Sequence, residues 1–396
     1  MLKDKCIYAD YQATTPVDSR VLAAMEPHWH EAFGNPHSTD HVVGWKAEKA
    51  TRKAASLVSA LIGADSDEII FTSGATEANN LALFGLARHT FRDRRRILVS
   101  AIEHKCVLAA ARALEDRENF TVEIVPVDSE GRIDLGALEE MLDNNVLLVS
   151  IMAVNNEIGV IQDIPAIASL LAPSGILLHT DAAQAPCAMD VHDLAYHADL
   201  ISLSGHKMYG PQGIGALYIR RDLHDGIEPL IHGGGQQGGI RSGTLPLPLC
   251  VGMGAAASLC ASKQASTERH EVARLRDSFV GYLRDGDTQV ALNGPPNEYR
   301  HPGNANACFV GHNAQDILGV LQPHLAASTG AACTSGTPEP SHVLRALGLS
   351  TEESEASIRF SFGRFTSESD VKQAANLVLQ ALSSLASTET SLEVRL

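Results

Sequence analysis

The chain alternates between short apolar runs and longer stretches with a helical pattern over its first two-thirds. Several runs are apolar at consecutive positions, as in VLLVSIM at residues 146–152, which is typical of strands buried on both faces of a parallel sheet. The alternation predicts an α/β fold with right-handed crossovers. The predicted strands are residues 68–72, 96–100, 122–125, 146–152, 176–180, 200–203 and 215–219, and the predicted helices between them are residues 47–62, 77–89, 105–114, 135–142 and 165–171.

The pattern changes after about residue 245, which predicts a second, smaller α+β domain. An Ala-rich segment predicts one long helix, and a loop rich in small residues lies between later elements. The final residues, 387–396, are polar and are expected to fray. The predicted elements of this part are a helix at 249–283, a strand at 305–310, a helix at 314–321, the loop at 326–340, a strand at 357–361 and a helix at 368–385.

Composition and charge exclude several classes of protein. The chain has 31 Lys and Arg against 47 Asp and Glu, a net charge of −16, which argues against direct binding to nucleic acid or anionic lipid. No apolar run approaches the length of about 18 residues that a membrane span needs. The seven cysteines are scattered without a C-x-x-C pair, which argues against a disulfide framework or a cysteine zinc site. We therefore expect a reducing, cytoplasmic compartment.

Polar residues follow the predicted strands, where the ligands of an open parallel sheet bind. They form a small turn that opens a helix (SGATE, residues 73–77), His104, Asn156, Asp181 with Gln184, and Ser204 with His206 and Lys207. Singly, such residues are most often helix caps, turns or solvated side chains. Together they match the needs of pyridoxal phosphate: an amine for the aldehyde, a carboxylate for the pyridine nitrogen, and backbone and hydroxyl donors for the phosphate.

These residues lie in segments by which the chain resembles the cysteine desulfurases of the IscS/NifS group, within the aspartate-aminotransferase-like, fold-type I pyridoxal phosphate enzymes. The resemblance implies a large domain with a mostly parallel sheet at residues 15–258. It implies a smaller α+β domain formed by residues 1–14 and 259–396, which carries the loop at about 326–340. The segments are YADYQATTP at 8–16, GNPHS at 34–38, FTSGATE at 71–77, VNNEIG at 154–159, SGHK at 204–207, RSGT at 241–244 and residues 335–348.

The resemblance also implies a role for each candidate site residue. Lys207 binds the cofactor covalently, Asp181 pairs with its pyridine nitrogen, Gln184 and Asn156 bind its phenolic oxygen, and His104 stacks on its ring and carries the proton of the substrate thiol. Ala75, Thr76, Ser204 and His206 bind the phosphate, and Thr244 reaches it from the partner subunit of a homodimer. Asn35 and Arg359 bind the substrate carboxylate, which a guanidinium can bond bidentately.

The resemblance assigns the nucleophile to Cys333, in the loop of small residues. The implied reaction converts L-cysteine to L-alanine and leaves a persulfide on Cys333, which an acceptor protein collects. A thiolate on a mobile loop can reach the cofactor and then turn outward. The other six cysteines sit in or near predicted helices and strands, which predicts that they are packing residues.

Several alternatives stay open at the level of sequence. The segment GGGQQG at 233–238 fits the G-x-G-x-x-G pattern of a nicotinamide dehydrogenase, but it falls late in the chain and no helix follows it directly. A selenocysteine lyase, a related pyridoxal phosphate-dependent lyase and a non-catalytic scaffold are the other candidates. The sulfur can serve iron–sulfur assembly, tRNA thiolation or DNA phosphorothioation, and the net charge favours an acceptor with a basic docking face.

Overall fold

The computed structural model describes residues 6–89, 93–286, 290–330 and 340–393. The strands are β1 (Ile7–Tyr8), β2 (Ile69–Thr72), β3 (Arg96–Ser100), β4 (Thr121–Val125), β5 (Val146–Ser150), β6 (Leu177–Asp181), β7 (Leu200–Ser204), β8 (Gly215–Ile219), β9 (Val290–Leu292), β10 (Asn304–Phe309), β11 (Leu325–Ala326) and β12 (Ser357–Ser361). The helices are α1 (Ser19–Met25), α2 (Pro27–His30), α3 (Val42–Ile62), α4 (Ala75–Arg88), α5 (Lys105–Glu118), α6 (Leu135–Met141), α7 (Ile164–Leu171), α8 (Ala185–Ala188), α9 (Leu194–His197), α10 (Leu247–Cys260), α11 (Lys263–Asp285), α12 (Ala314–Leu321), α13 (His342–Ala346), α14 (Thr351–Glu355) and α15 (Glu368–Glu393).

The largest sheet in the described part of the chain has seven strands in the order β2-β8-β7-β6-β5-β3-β4. Strand β8 is antiparallel to both of its neighbours, and the other neighbouring pairs are parallel. Only residues 205–214 join β7 to β8, which is too short for the crossover that a parallel pair needs. The predicted α/β architecture with a mostly parallel sheet is therefore confirmed.

Helices cover both faces of this sheet, which explains why its strands are apolar at consecutive positions. All five residues of β5 are buried. On one face, Leu81 of α4 and Leu114 of α5 belong to a common apolar cluster with residues of the sheet. On the other face, Val58 of α3 and Met253 of α10 belong to a second cluster. The inner strands are therefore removed from water on both sides, as the hydrophobic pattern predicts, whereas the edge strand β4 is partly exposed.

A smaller antiparallel sheet, in the order β12-β10-β9, forms the core of the C-terminal part. Phe279 of α11 packs against Phe360 of β12, with ring centroids 4.8 Å apart. The start of the chain joins this part because β1 pairs with β11 in parallel, and Ile7 and Ala9 are buried in its apolar cluster.

Two helix predictions in the C-terminal part are wrong. The helix predicted at residues 249–283 is two helices, α10 and α11, because Ser262 between them is extended (φ −74°, ψ 156°) and starts the second helix. The last helix continues beyond the predicted end at residue 385 to Glu393. The hydroxyls of Ser383 and Ser387 donate to carbonyls four residues earlier, so these polar residues bond within the helix.

No helix in the described ranges is both long and apolar enough to span a bilayer.

The contact between Phe279 and Phe360 gives a test of the packing in the C-terminal part. Phe360 is fully buried and Phe365 is 50% exposed. We expect Phe360→Ala to lower the free energy of unfolding, measured by urea denaturation, by about 3–5 kcal/mol because it leaves a cavity in the cluster. The control Phe365→Ala should cost about 1 kcal/mol or less. Equal losses in the two variants would contradict this packing.

Candidate active site

A cavity of about 520 Å³ lies at the edge of the large sheet where its parallel strands end. The turns after β2, β3, β5, β6 and β7 all contribute side chains to it, as the sequence predicts. The predicted site residues that line it are Ala75, Thr76, His104, Asn156, Asp181, Gln184, Ser204, His206, Lys207 and Arg359.

Two predicted site residues stand elsewhere, and a third lies outside the described residues. Asn35 and Thr244 are exposed and do not line this cavity. The Asn35 side chain accepts a hydrogen bond from the His37 amide at 2.9 Å. Cys333 lies outside the described residues, while Gly330, three positions before it, lines the cavity. The roles of all three stay predictions.

One end of the cavity is built to receive an anion. Helix α4 begins there, and no side chain of the described residues caps its first amides, so these donors and the positive end of the helix dipole face an anionic group. Gly74 before it has φ 156° and ψ 177°, a conformation that favours glycine. A Cβ on Gly215 of β8 would lie 2.6 Å from Gly74 Cα, which explains why position 215 lacks a side chain.

His206 is a further donor for an anion. Burial, reinforced by the charge of Lys207, lowers the pKa of His206 to about 4. Its Nδ1 lies 3.0 Å from the Thr14 hydroxyl. The ring is therefore neutral near pH 7 and can donate one N–H bond to an oxygen atom.

The carboxylate of the site is Asp181, the last residue of β6, which is 4% exposed. Its oxygens accept hydrogen bonds from the Ala183 amide at 2.9 Å and from Asn79 Nδ2 at 2.7 Å. Both donors are uncharged. A buried carboxylate with only neutral donors favours a cationic partner, and a protonated pyridine nitrogen supplies that charge.

Two buried neighbours of Asp181 have shifted pKa values. Burial, and then the charge of Asp181, raise the pKa of Glu103 well above its ordinary value, which favours its protonated form. Burial lowers the pKa of His179 to about 4, although Asp181 opposes the shift. The His179 ring nitrogens lie 2.8 and 3.1 Å from the hydroxyls of Ser150 and Ser202. Neither residue therefore supplies the cation that Asp181 favours.

The amine of the site belongs to Lys207, in a short helical turn after β7. Its Nζ donates to the carbonyls of Gln12 and Ala13 at 2.5 and 2.7 Å. Gln184 Nε2 donates to the same Gln12 carbonyl at 2.9 Å. Gln12 lines the cavity. Its side-chain nitrogen, Nε2, is buried without a hydrogen-bond partner among the described residues.

Arg359, on the central part of β12, brings a guanidinium to the cavity. It donates to Asp10 Oδ1 at 2.5 Å, to the Ser328 hydroxyl at 2.8 Å and to the Asn156 carbonyl at 2.8 Å. Its side chain is 4% exposed. The small sheet thus contributes a buried positive charge to a site that is formed mostly by residues of the large sheet.

One cysteine prediction is wrong and one is incomplete. Cys6, which precedes β1, is exposed. Cys106 packs against an apolar cluster, as predicted. Cys106 lines the cavity, because it lies in the first turn of α5, directly after the strand-end turn that carries His104. Its sulfur lies 2.9 Å from His104 Nδ1.

Sequence reasoning gave no role to Asp10, Gln12 or Ser328, which also line the cavity. Asp10 reaches it because residues 7–8 pair with β11, and Ser328 because it bridges to Arg359. The sequence signal for Asp10 and Gln12 was the segment at residues 8–16, by which the chain resembles the cysteine desulfurases. The spacing within this segment assigns no role to either residue.

The donor set fits pyridoxal phosphate. The uncapped amides of α4 suit its phosphate, the Lys207 amine suits its aldehyde, and the buried Asp181 suits its ring nitrogen. The fold and these groups together define a pyridoxal phosphate enzyme of fold-type I.

Comparison with known proteins agrees with this class. The aminotransferase class-V model matches residues 7–374, so the chain belongs to that family. A cysteine desulfurase IscS of Rickettsia rickettsii (strain Iowa) is 46% identical over 379 residues, 96% of this chain and 92% of the relative. Within the family, the chain thus stands with the cysteine desulfurases.

Comparison with solved structures agrees with this assignment. A NifS-like protein superimposes with a TM-score of 0.88 at 33% identity, covering 96% of this chain and all of that chain. A structure described as SspA in complex with cysteine has a TM-score of 0.79 at 35% identity, covering 91% of this chain and 99% of that chain.

The neutral state of His179 predicts that acid destabilises the fold. The unfolded chain binds a proton at His179 below its ordinary pKa of 6.5, whereas the folded chain does so only near pH 4. The contribution of His179 to the free energy of unfolding is therefore fully present above pH 6.5. It is lost as the pH falls, by about 2 kcal/mol at pH 5. In urea denaturation, His179→Asn should reduce the loss between pH 7 and pH 5 by that amount. The exposed control His270→Asn should not, and an unchanged pH dependence in His179→Asn would refute the assignment.

Proposed function

We propose that this chain removes the sulfur atom of L-cysteine, releases L-alanine and carries the sulfur as a persulfide on Cys333. The observation that carries the proposal is the shared cavity of Lys207, Asp181 and Gly330. Cys333 follows Gly330 by three residues in the sequence. We propose that the chain thereby brings the Cys333 thiol to the amine and the carboxylate.

Pyridoxal phosphate, when bound, supplies a protonated ring that withdraws electrons from the Cα of an attached amino acid. Asp181 keeps the ring nitrogen protonated, because its burial makes an uncompensated negative charge costly. The amides of Ala75 and Thr76, with Ser204 and His206, bind the phosphate, and Asn156 and Gln184 bind the phenolic oxygen. Lys207 would hold the aldehyde, and its amine would accept the Cα proton of the substrate.

Arg359 binds the carboxylate of L-cysteine. Its guanidinium already holds one carboxylate, that of Asp10, and its Nε has no partner among the described residues. A buried guanidinium with a spare donor suits a second carboxylate. We propose that Asn35 adds a contact to the same group.

His104 acts on the thiol of the substrate. It lies at the start of α5 and lines the cavity. We propose that its ring would stack on the cofactor and carry the proton of the substrate thiol. The Cys333 thiolate bonds to the substrate sulfur as the Cβ–S bond breaks, and the electron pair of that bond is protonated at Cβ, which gives alanine.

Two substitutions separate these roles. Lys207→Ala should abolish alanine formation and the visible absorption of the bound cofactor. Cys333→Ser should keep that absorption and form no persulfide, because the hydroxyl cannot accept sulfur. Alanine release, absorption spectra and mass spectrometry after incubation with L-cysteine measure these outcomes. The controls Lys49→Ala and Cys6→Ser change exposed residues and should behave as wild type. Normal sulfur delivery by Cys333→Ser would contradict the assignment.

We also propose a homodimer in which Thr244 completes the phosphate site of the partner subunit. Thr244 is exposed and does not line the cavity of its own chain. Large apolar side chains are exposed in one stretch of sequence, with Trp29, Phe33 and Trp45 between 57% and 61% accessible. Exposed apolar surface of this kind is typical of protein interfaces.

Subunit complementation tests this dimer. Lys207→Ala and Thr244→Glu should each be inactive alone, the second because its carboxylate repels the phosphate. A mixed dimer should recover activity, because the Lys207 of one subunit meets the Thr244 of the other in one intact site. Gel filtration should give the mass of two chains. A monomer, or a mixture without recovered activity, would contradict the proposal.

We propose that the recipient of the sulfur is a protein with a basic docking face. The net charge of −16 favours such a partner over direct contact with nucleic acid.

A further inference from the structure

Gln12 is buried beside the cavity, and one atom of its side-chain amide has no partner. The residue is 2% exposed and lines the cavity. Its Oε1 accepts a hydrogen bond from Asn304 Nδ2 at 2.6 Å, whereas its Nε2 is buried without a hydrogen-bond partner among the described residues. A buried N–H group without an acceptor destabilises a folded chain, so a ligand that accepts this bond is favoured.

The orientation of the Gln12 amide follows from the groups around Asn304. Arg300 Nη1 lies 3.0 Å from Asn304 Oδ1, and a guanidinium only donates, so the Asn304 atom that faces it is the oxygen. Asn304 Nδ2 then donates to the Glu157 carbonyl at 2.9 Å and to Gln12. The Gln12 atom that faces Asn304 must therefore be the acceptor, Oε1, which leaves Nε2 on the other side of the amide.

Gln12 lies next to Arg359 on one face of the small sheet. Asn304 of β10 is paired with Ser361 of β12, and two residues along, Asn306 is paired with Arg359. Cross-strand partners and residues two apart share a face, and the two pairs are about 7 Å apart along the strands. Gln12 contacts the first pair, because its amide N–H donates to the Ser361 hydroxyl at 3.0 Å and its side chain bonds Asn304.

Arg359 has a second buried donor of this kind. Its Nε has no hydrogen-bond partner among the described residues, and like Gln12 it lines the cavity. Two unsatisfied donors at neighbouring positions, one of them charged, suit a ligand group with two acceptor oxygens and a negative charge. A carboxylate has both properties.

We infer that Gln12 is a substrate-binding residue, whose Nε2 donates a hydrogen bond to the carboxylate of L-cysteine beside Arg359. This role rests on the proposed function, in which Arg359 binds the same carboxylate. The Gln12 carbonyl accepts a hydrogen bond from Lys207 Nζ at 2.5 Å, so Gln12 also adjoins the amine that the amino group of the substrate approaches. The amino and carboxylate groups of an amino acid share one carbon atom, which agrees with a single residue that adjoins the sites of both.

Steady-state kinetics of two variants test this role. Gln12→Met removes the donor without adding a charge. Gln12→Glu keeps an acceptor for Asn304 and replaces the donor by a second acceptor. We expect Gln12→Met to raise KM for L-cysteine about ten-fold, the effect of losing a hydrogen bond to a charged group, and Gln12→Glu to raise it further. The kcat should change little, because the carboxylate is bound equally before and during the reaction. The control Gln264→Met changes an exposed residue of α11 and should match wild type.

A binding measurement separates the carboxylate from the rest of the substrate. L-alanine and ethylamine differ by the carboxylate, and the visible absorbance of the cofactor-loaded enzyme reports the binding of each. Gln12→Met and Gln12→Glu should weaken the binding of L-alanine about ten-fold or more and leave that of ethylamine unchanged.

Unchanged affinity for L-alanine in both variants would overturn the inference. So would an equal loss of affinity for L-alanine and ethylamine, because Gln12 would then serve the amine or the cofactor. A wild-type enzyme that forms no alanine from L-cysteine would instead overturn the proposed function, and the two titrations would still decide the role of Gln12.

Discussion

The site depends on one buried negative charge. Asp181 ends the central strand β6, where water is excluded and where both of its hydrogen-bond donors are neutral amides. Burial raises the pKa of its near neighbour Glu103 and lowers the pKa of His179, so neither residue supplies a positive charge near pH 7. An interior of this kind favours a cation against Asp181, and that requirement explains why the other groups of the cavity match a pyridinium ring.

The large sheet and the C-terminal part meet at a second charged contact. Arg359 of the small sheet bonds Asp10 of the N-terminal segment and the Asn156 carbonyl of the large-sheet turn. The N-terminal segment also accepts the hydrogen bonds of Lys207 at Gln12 and Ala13. The short stretch at residues 8–16 therefore links the Lys207 amine to the Arg359 guanidinium.

Local pattern predicted most of the fold and the strand-end residues of the site. Strands buried on both faces have a strong signal, and every one of their predicted positions is within two residues of the observed element. The break at Ser262 was missed because the flanking segments are both helical and only the change of packing partner separates them. The place of Cys106 at the cavity was missed because its position in a helix is the same for a packing residue and for one that faces a cavity. Contacts such as Asp10 with Arg359 join positions far apart in sequence, and no local spacing encodes them.

The central claim is that Lys207 holds pyridoxal phosphate at the edge of the sheet beside Asp181. The most direct measurement is borohydride reduction of the cofactor-loaded protein, followed by proteolysis and mass spectrometry of every lysine-containing peptide. The account predicts a pyridoxyl group on the peptide that contains Lys207 and on no other peptide. An unmodified Lys207, with the group on another lysine or on none, would contradict it.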